Sequence, residues 1–120
     1  MALKDENILG LVENISKFLN TILFTGLGIK IDDYEDFEEM VEFKLDLKKD
    51  IESKNFKKAQ EKLFKEIEEK NRSNDILRVG CWFFLKLNSL DEETLKEGGF
   101  SKRDVFDGLR KIEEIVLGVS

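Results

Sequence analysis

Three pairs of glutamates stand at the spacing that puts two carboxylates on one face of a helix: Glu35 with Glu38, Glu39 with Glu42, and Glu66 with Glu69. Carboxylates so placed can hold a divalent cation, which polarises phosphoryl oxygens and activates water against them. Composition closes most other chemistry. The chain has no histidine, which removes Ser–His and Cys–His nucleophile pairs, zinc sites with imidazole ligands and carboxylate–histidine di-iron centres. Its lone cysteine, Cys81, lies in the most apolar segment, where burial raises a thiol's pKa and leaves it inert. Gly26 and Gly28 make no phosphate loop, because no Gly-Lys-Ser/Thr follows them and no strand precedes them.

The acids need elements to position them, and those elements argue against a reaction centre. A helix is expected from about Tyr34 to Glu52, with Glu35, Glu38, Glu39, Glu42, Asp46 and Asp50 on its water-facing side, opposite the apolar stripe. Between residues 32 and 42 there are seven carboxylates and no base, whereas residues 43–72 carry ten Lys/Arg against seven Asp/Glu. A solvated acidic face is the ordinary outcome of such a pattern. The paired glutamates resemble those of all-helical nucleotide pyrophosphohydrolases, which bind Mg²⁺ through two such helices. The closing Glu-x-x-Asp of those enzymes is absent here, so a metal-dependent hydrolase of that kind stands as the alternative reading only. No catalytic residue, cofactor or metal ligand is assigned.

At 120 residues the chain is expected to form one domain, 1–120, with a core that needs neither metal nor disulfide. It is 41% hydrophobic, 38% charged and free of proline, a composition suited to helices. A net charge of −6 with only four arginines lacks the basic footprint of nucleic-acid binding. The longest uncharged apolar run, Val79–Leu85, is far short of the ~20 residues that span a bilayer, and no signal-like N-terminal region is visible. No membrane and a cytoplasmic setting are therefore expected.

The first helix is expected from Asp5, a candidate N-cap, to Phe24. Ile8, Ile15 and Ile22 recur every seven residues, with Val12 and Leu19 beside them, as one broad apolar seam. Phe43, Leu47 and Ile51, then Phe56, Ala59, Leu63 and Ile67, predict a tight helical hairpin over 43–69. A helix from Asn74 to Leu87 has almost no polar face, and Gly80 offers its backbone to a neighbour. Asp91 caps a short turn and Ser101-x-x-Asp104 opens a last helix, Lys102 to Leu117. The expected fold is all-α: a compact bundle of about five helices plus a short helical turn.

Two stretches resemble known families. Lys54-Asn55-Phe56-Lys57-Lys58-Ala59-x-x-x-Leu63 resembles the turn and second-helix opening of a tetratricopeptide repeat, over about half a repeat. The layout ILGLVENISKFLNTILF, DIESKNFKKAQEKLFKEIEE and WFFLKLNSLDEETLKEGGFSKRDVFDGLRKI resembles a family of small uncharacterised bacterial proteins, a domain of unknown function with a repeat-like helical hairpin. That resemblance implies a helical fold and a bacterial, cytoplasmic setting, and no activity. The function expected is a non-enzymatic interaction or scaffold domain that binds a protein partner or self-associates as a homodimer. Ile8, Val12, Ile15, Leu19, Ile22, Trp82 and Phe83 are the expected contacts, since the apolar surface of the first and fourth helices is generous for one small bundle.

Overall fold

The computed structural model describes residues 5–119, whose regular elements are all helical. They are α1 (Asp5–Leu19), α2 (Val41–Glu52), α3 (Phe56–Glu69), α4 (Asn74–Asn88), the short α5 (Glu92–Glu97) and α6 (Lys102–Leu117). A π-turn, Asn20–Phe24, and two 3₁₀ segments, Thr25–Leu27 and Ile31–Asp36, connect α1 to α2. Five helices and one short turn stand where the apolar periodicity places them, with two exceptions, both between residues 20 and 40.

Helix α4 packs against α1, α2, α3, α6, the π-turn and the second 3₁₀ segment. Nine of its side chains and backbone positions are buried, from Ile76 to Leu87. Its closest partner is α6, and the approach is set by two glycines. A Cβ at Gly80 would fall within the side chain of Ile112, and a Cβ at Gly108 would fall within the ring of Phe84. The pairs 80 with 112 and 84 with 108 run in opposite directions along the two helices, so α4 and α6 are antiparallel. One glycine and one large side chain come from each helix, four residues apart, and interlock as two knobs over two flat spots.

The hairpin forms as expected, its first helix starting two residues earlier, at Val41. Leu47 and Ile51 of α2, and Phe56, Ala59, Leu63 and Ile67 of α3, are all buried. The turn closes through Lys54 at φ 60°, with Asn55 N–H donating to Asp50 O at 2.8 Å. Gly98 gives this turn a seat: a Cβ there would meet the Phe56 ring and the Lys54 carbonyl. Caps appear at the two expected places, with Thr94 N–H donating to Asp91 Oδ1 at 2.7 Å and Asp104 N–H to Ser101 Oγ at 3.2 Å. The side chain of Asp5, expected as an N-cap, lies outside the described side chains.

The first exception is the seam of α1. Ile8, Val12, Ile15 and Leu19 are buried as a stripe, but Ile22 is 51% exposed. The α-helix does not run on to Phe24. It widens after Leu19, where Thr25 N–H bonds to Asn20 O five residues back. A wider turn delays the return to the core, so Leu23 and Phe24 point inward in place of Ile22.

The second exception is the start of α2, which is Val41 and not Tyr34. Residues 31–36 form 3₁₀ turns, and Met40 precedes α2 in the left-handed region at φ 53°. Seven like charges at helical spacing oppose a continuous helix. The break lets two of those acids reach cations on other elements, as described below. Asp50, expected on the water-facing side, is buried and accepts from Lys62 Nζ at 2.7 Å.

Replacing Gly108 with Ala, or Gly80 with Ala, is expected to destabilise the protein by about 1–3 kcal/mol through overpacking. Gly10 lies in the interior of α1 with nothing near its would-be Cβ, so Gly10→Ala is expected to stabilise by about 0.5–1 kcal/mol. Urea unfolding of the three variants checks the pair of opposite signs. Destabilisation by Gly10→Ala, or none by Gly108→Ala, refutes the interlock.

Candidate functional site

The surface over residues 31–48 is where buried polarity, free charge and exposed apolar side chains meet. Its scaffold is two cationic clamps. Lys44 sits on the inward phase of α2 with Leu47 and Ile51, and is almost fully buried. Its Nζ donates to Tyr34 O and Phe37 O, both at 2.7 Å, and stands 4.1 Å from the centre of the Tyr34 ring. Burial pushes this ammonium below the ordinary lysine range, while Glu39, Asp36 and Glu35 pull it back up. The clamp adds a charged donor to each carbonyl, since Tyr34 O also accepts from Phe37 N–H at 3.1 Å and Phe37 O from Glu39 N–H at 2.8 Å.

Arg78 of α4 is the second clamp. Its guanidinium binds Glu39 in fork geometry, Nε to Oε1 at 2.6 Å and Nη2 to Oε2 at 2.9 Å, and Nη1 donates to Leu23 O at 3.0 Å. Tyr34 OH donates to the same Glu39 Oε1 at 2.7 Å. One carboxylate thus ties the loop before α2 to α4, and the guanidinium ties both to the π-turn. The Arg78 hydrogen bonds hold Glu39 below the usual carboxylate range. Burial, then Glu39 itself, pushes the Tyr34 phenol far up.

Glu35 bridges two helices. It accepts from Lys86 of α4 at 2.6 Å and from Lys48 of α2 at 2.9 Å. Those two hydrogen bonds, Lys86 first, lower its pKa to about 2. Trp82, only 4% exposed, lies beneath this bridge and lines a hollow on either side of it.

Two of the three glutamate pairs therefore separate, while Glu66 and Glu69 stay together on α3. Glu35 and Glu39 turn to basic partners on other elements, while Glu38 and Glu42 are exposed. Among the described residues no three His, Cys, Asp or Glu side chains converge in a way that could hold a metal ion. Cys81 is fully buried, and burial pushes its thiol far up.

Outside the clamps, α2 presents Val41 and Leu45, 49% and 52% exposed, one turn apart on one face. Val41 forms a ridge between two hollows. One, of about 360 Å³, is lined by Met40, Glu42, Phe43, Glu66 and Lys70; the other, of about 110 Å³, by Glu35, Asp36, Lys44, Lys48 and Trp82. Asp36 and Glu42 line these hollows and Glu38 is exposed just before α2, all three without an ion pair among the described residues.

Of the seven side chains expected at a partner contact, Ile8, Val12, Ile15, Leu19, Trp82 and Phe83 are buried inside the chain itself, and Ile22 alone is at the surface. Helix α6 covers α1, and six elements cover α4, so the seam is spent on the chain's own core. Sequence reasoning passed over Lys44, Arg78 and Tyr34. A signal was present for Arg78, the one cation within the apolar stretch 76–85, since a charge in an apolar run demands a partner. For Lys44 the signal was weaker: it shares the phase of Leu47 and Ile51 as fully as Phe43 does.

A sequence profile described as a family of unknown function (DUF6483) matches residues 2–116. No curated protein and no solved structure matches the chain.

Depressed carboxylate pKa values give a sign to the pH dependence. Glu35 and Glu39 contribute stability that is present above the unfolded carboxylate pKa, about 4.3, and lost as pH falls towards the folded value. A Glu35→Gln/Glu39→Gln variant is expected to be less stable than the parent at about pH 7 and to converge on it near pH 2. Urea unfolding at a series of pH values checks this, and a gap that stays constant with pH refutes it.

Proposed function

The chain belongs to that family of unknown function, DUF6483, and we propose that it works as a small non-catalytic interaction domain whose docking face is the outer side of α2. The observation that carries this reading is the ridge of Val41 and Leu45. Two large aliphatic side chains stand half-exposed on one helix face, beside two hollows and three acids with no ion pair, on a molecule that ties Glu35, Glu39 and Asp50 firmly to its own cations.

The rigidity of the face supports the same reading. Lys44, Arg78 and the Glu35 bridge pin the loop before α2 to α4, so the ridge is presented without an ordering cost on binding. The α2–α3 hairpin, whose Phe56, Ala59 and Leu63 hold the repeat-like spacing, backs the face from behind with buried contacts. Nothing favours the hydrolytic alternative: Glu35 and Glu39 are taken up by cations on other elements, and no three acids converge among the described residues.

A photo-crosslinking side chain at position 45 is expected to capture a defined partner in native extract, while the same group at exposed Glu93 captures none. A Val41→Lys/Leu45→Lys variant is expected to abolish that capture with its unfolding free energy within about 0.5 kcal/mol of the parent. Light scattering of the crosslinked species tells a second copy of this chain from another protein. Equal capture at both positions, or capture unaffected by the two lysines, refutes the docking face. Tight Mg²⁺ binding lost on Glu39→Gln/Glu42→Gln would reinstate the hydrolase reading.

A further inference from the structure

On a different face, we propose that the groove along the π-turn is a binding site for a small amphiphilic anion, a carboxylate or phosphate head on a short apolar body. The groove is a hollow of about 340 Å³ between the end of α1, the π-turn and residues 30–32, within the range of small-molecule sites. Ile31 and Leu85 give it an apolar floor. Lys17 and Lys30 stand on its two sides, both exposed and neither in an ion pair among the described residues.

Three neutral side chains add polar groups to the wall, of which Asn20 supplies the free donor. The Ser16 hydroxyl is buried in the wall with no hydrogen-bond partner, an arrangement that native interiors rarely leave unfilled. Asn20 accepts from Ile31 N–H through Oδ1 at 3.2 Å, so its remaining end is the NH₂ donor. Thr21 lines the same wall, but its one hydroxyl proton is already given to Lys17 O at 3.0 Å, so it offers an incoming group only lone pairs. All three lie in or beside the wide turn, a departure from α-helix often found at functional sites. Asp32 is the one acid at the rim.

Room for the apolar body exists next door. A second hollow, of about 170 Å³, shares Ile31, Asp32 and Leu85 with the first and runs past Ser89 and the Glu35–Lys86 ion pair to Trp82. The head group takes the lysine end, and the body lies over Ile31 and Leu85 towards the indole. Trp82 is the only tryptophan in the chain, so its fluorescence reports on the far end of the groove.

The test uses four probes on the full chain: hexanoate, hexyl phosphate, inorganic phosphate and hexylammonium, followed by amide chemical shifts and Trp82 fluorescence. One of the two amphiphilic anions is expected to give saturable shifts confined to residues 16–24, 30–32 and 82–86, with Kd on the order of 1 mM or tighter, as befits a ligand of roughly ten heavy atoms. The tighter of the two identifies the head group. Lys17→Glu/Lys30→Glu is expected to weaken binding about tenfold or more, and Asp32→Asn to tighten it roughly two- to fourfold. All three positions are exposed, and circular dichroism confirms that the fold is kept. No saturation, an equal response to hexylammonium, equal binding of inorganic phosphate, or indifference to the lysine reversal each overturns the proposal.

Discussion

Two side-chain-to-backbone contacts set the distance between α4 and α6, and the other helices take their places from that pair. Phe84 lies on Gly108 and Ile112 lies on Gly80, so each helix offers the other a bare backbone where a Cβ would collide. Close approach of two backbones maximises dispersion contacts along the interface. It also fixes register, because a slip along either helix would set Phe84 or Ile112 against a side chain. With that pair locked, α1 covers α6, α3 and α2 cover α4, and the buried apolar residues join in one cluster.

Such an apolar centre leaves a problem at its edges, where helices end and backbone carbonyls lie close to apolar side chains. Three cations solve it. Lys44 takes the carbonyls of Tyr34 and Phe37, Arg78 takes Leu23 O together with Glu39, and Lys102 takes Asn88 O and Leu90 O at 2.5 and 2.6 Å beyond the end of α4. Each is a long side chain that brings its donors to carbonyls at the end of a helix or turn. Arg78 suits its post because a planar fork matches one carboxylate and still spares a donor for a carbonyl. The excess acid of residues 32–42 has a structural use here: two of its seven carboxylates are spent on these clamps and bridges.

What remains at the surface is a division of labour between tied and untied groups. Glu35, Glu39 and Asp50 are committed internally and hold α2, α3 and α4 together. Asp36, Glu38 and Glu42 are left to solvent around Val41 and Leu45, where an incoming partner meets both apolar area and unspent charge. Paired glutamates at helical spacing suggested catalysis only while residues 34–52 were taken as one helix. Once the chain breaks at Met40, Glu35 and Glu39 turn away from Glu38 and Glu42, and although Glu66 and Glu69 stay together on α3, no third ligand joins them among the described residues.

Apolar periodicity alone determined five helices and a short turn, the hairpin turn at 53–55, the caps at Asp91 and Ser101 and the use of Gly80 as a contact point, because these follow from local spacing and local hydrogen bonding. The two misread stretches are those where a distant group decides. Whether Ile22 or Phe24 enters the core depends on a widening at Asn20 whose side chain is held by Ile31, eleven residues on. Where α2 begins depends on Lys44, Lys48, Arg78 and Lys86, which draw Lys-binding and Arg-binding groups out of a would-be helix from positions up to 51 residues away. A seam in the sequence shows that α1 must be covered. Only packing in three dimensions shows that α6 does the covering, because a stripe of apolar residues is indifferent to whether its partner lies in the same chain or in another.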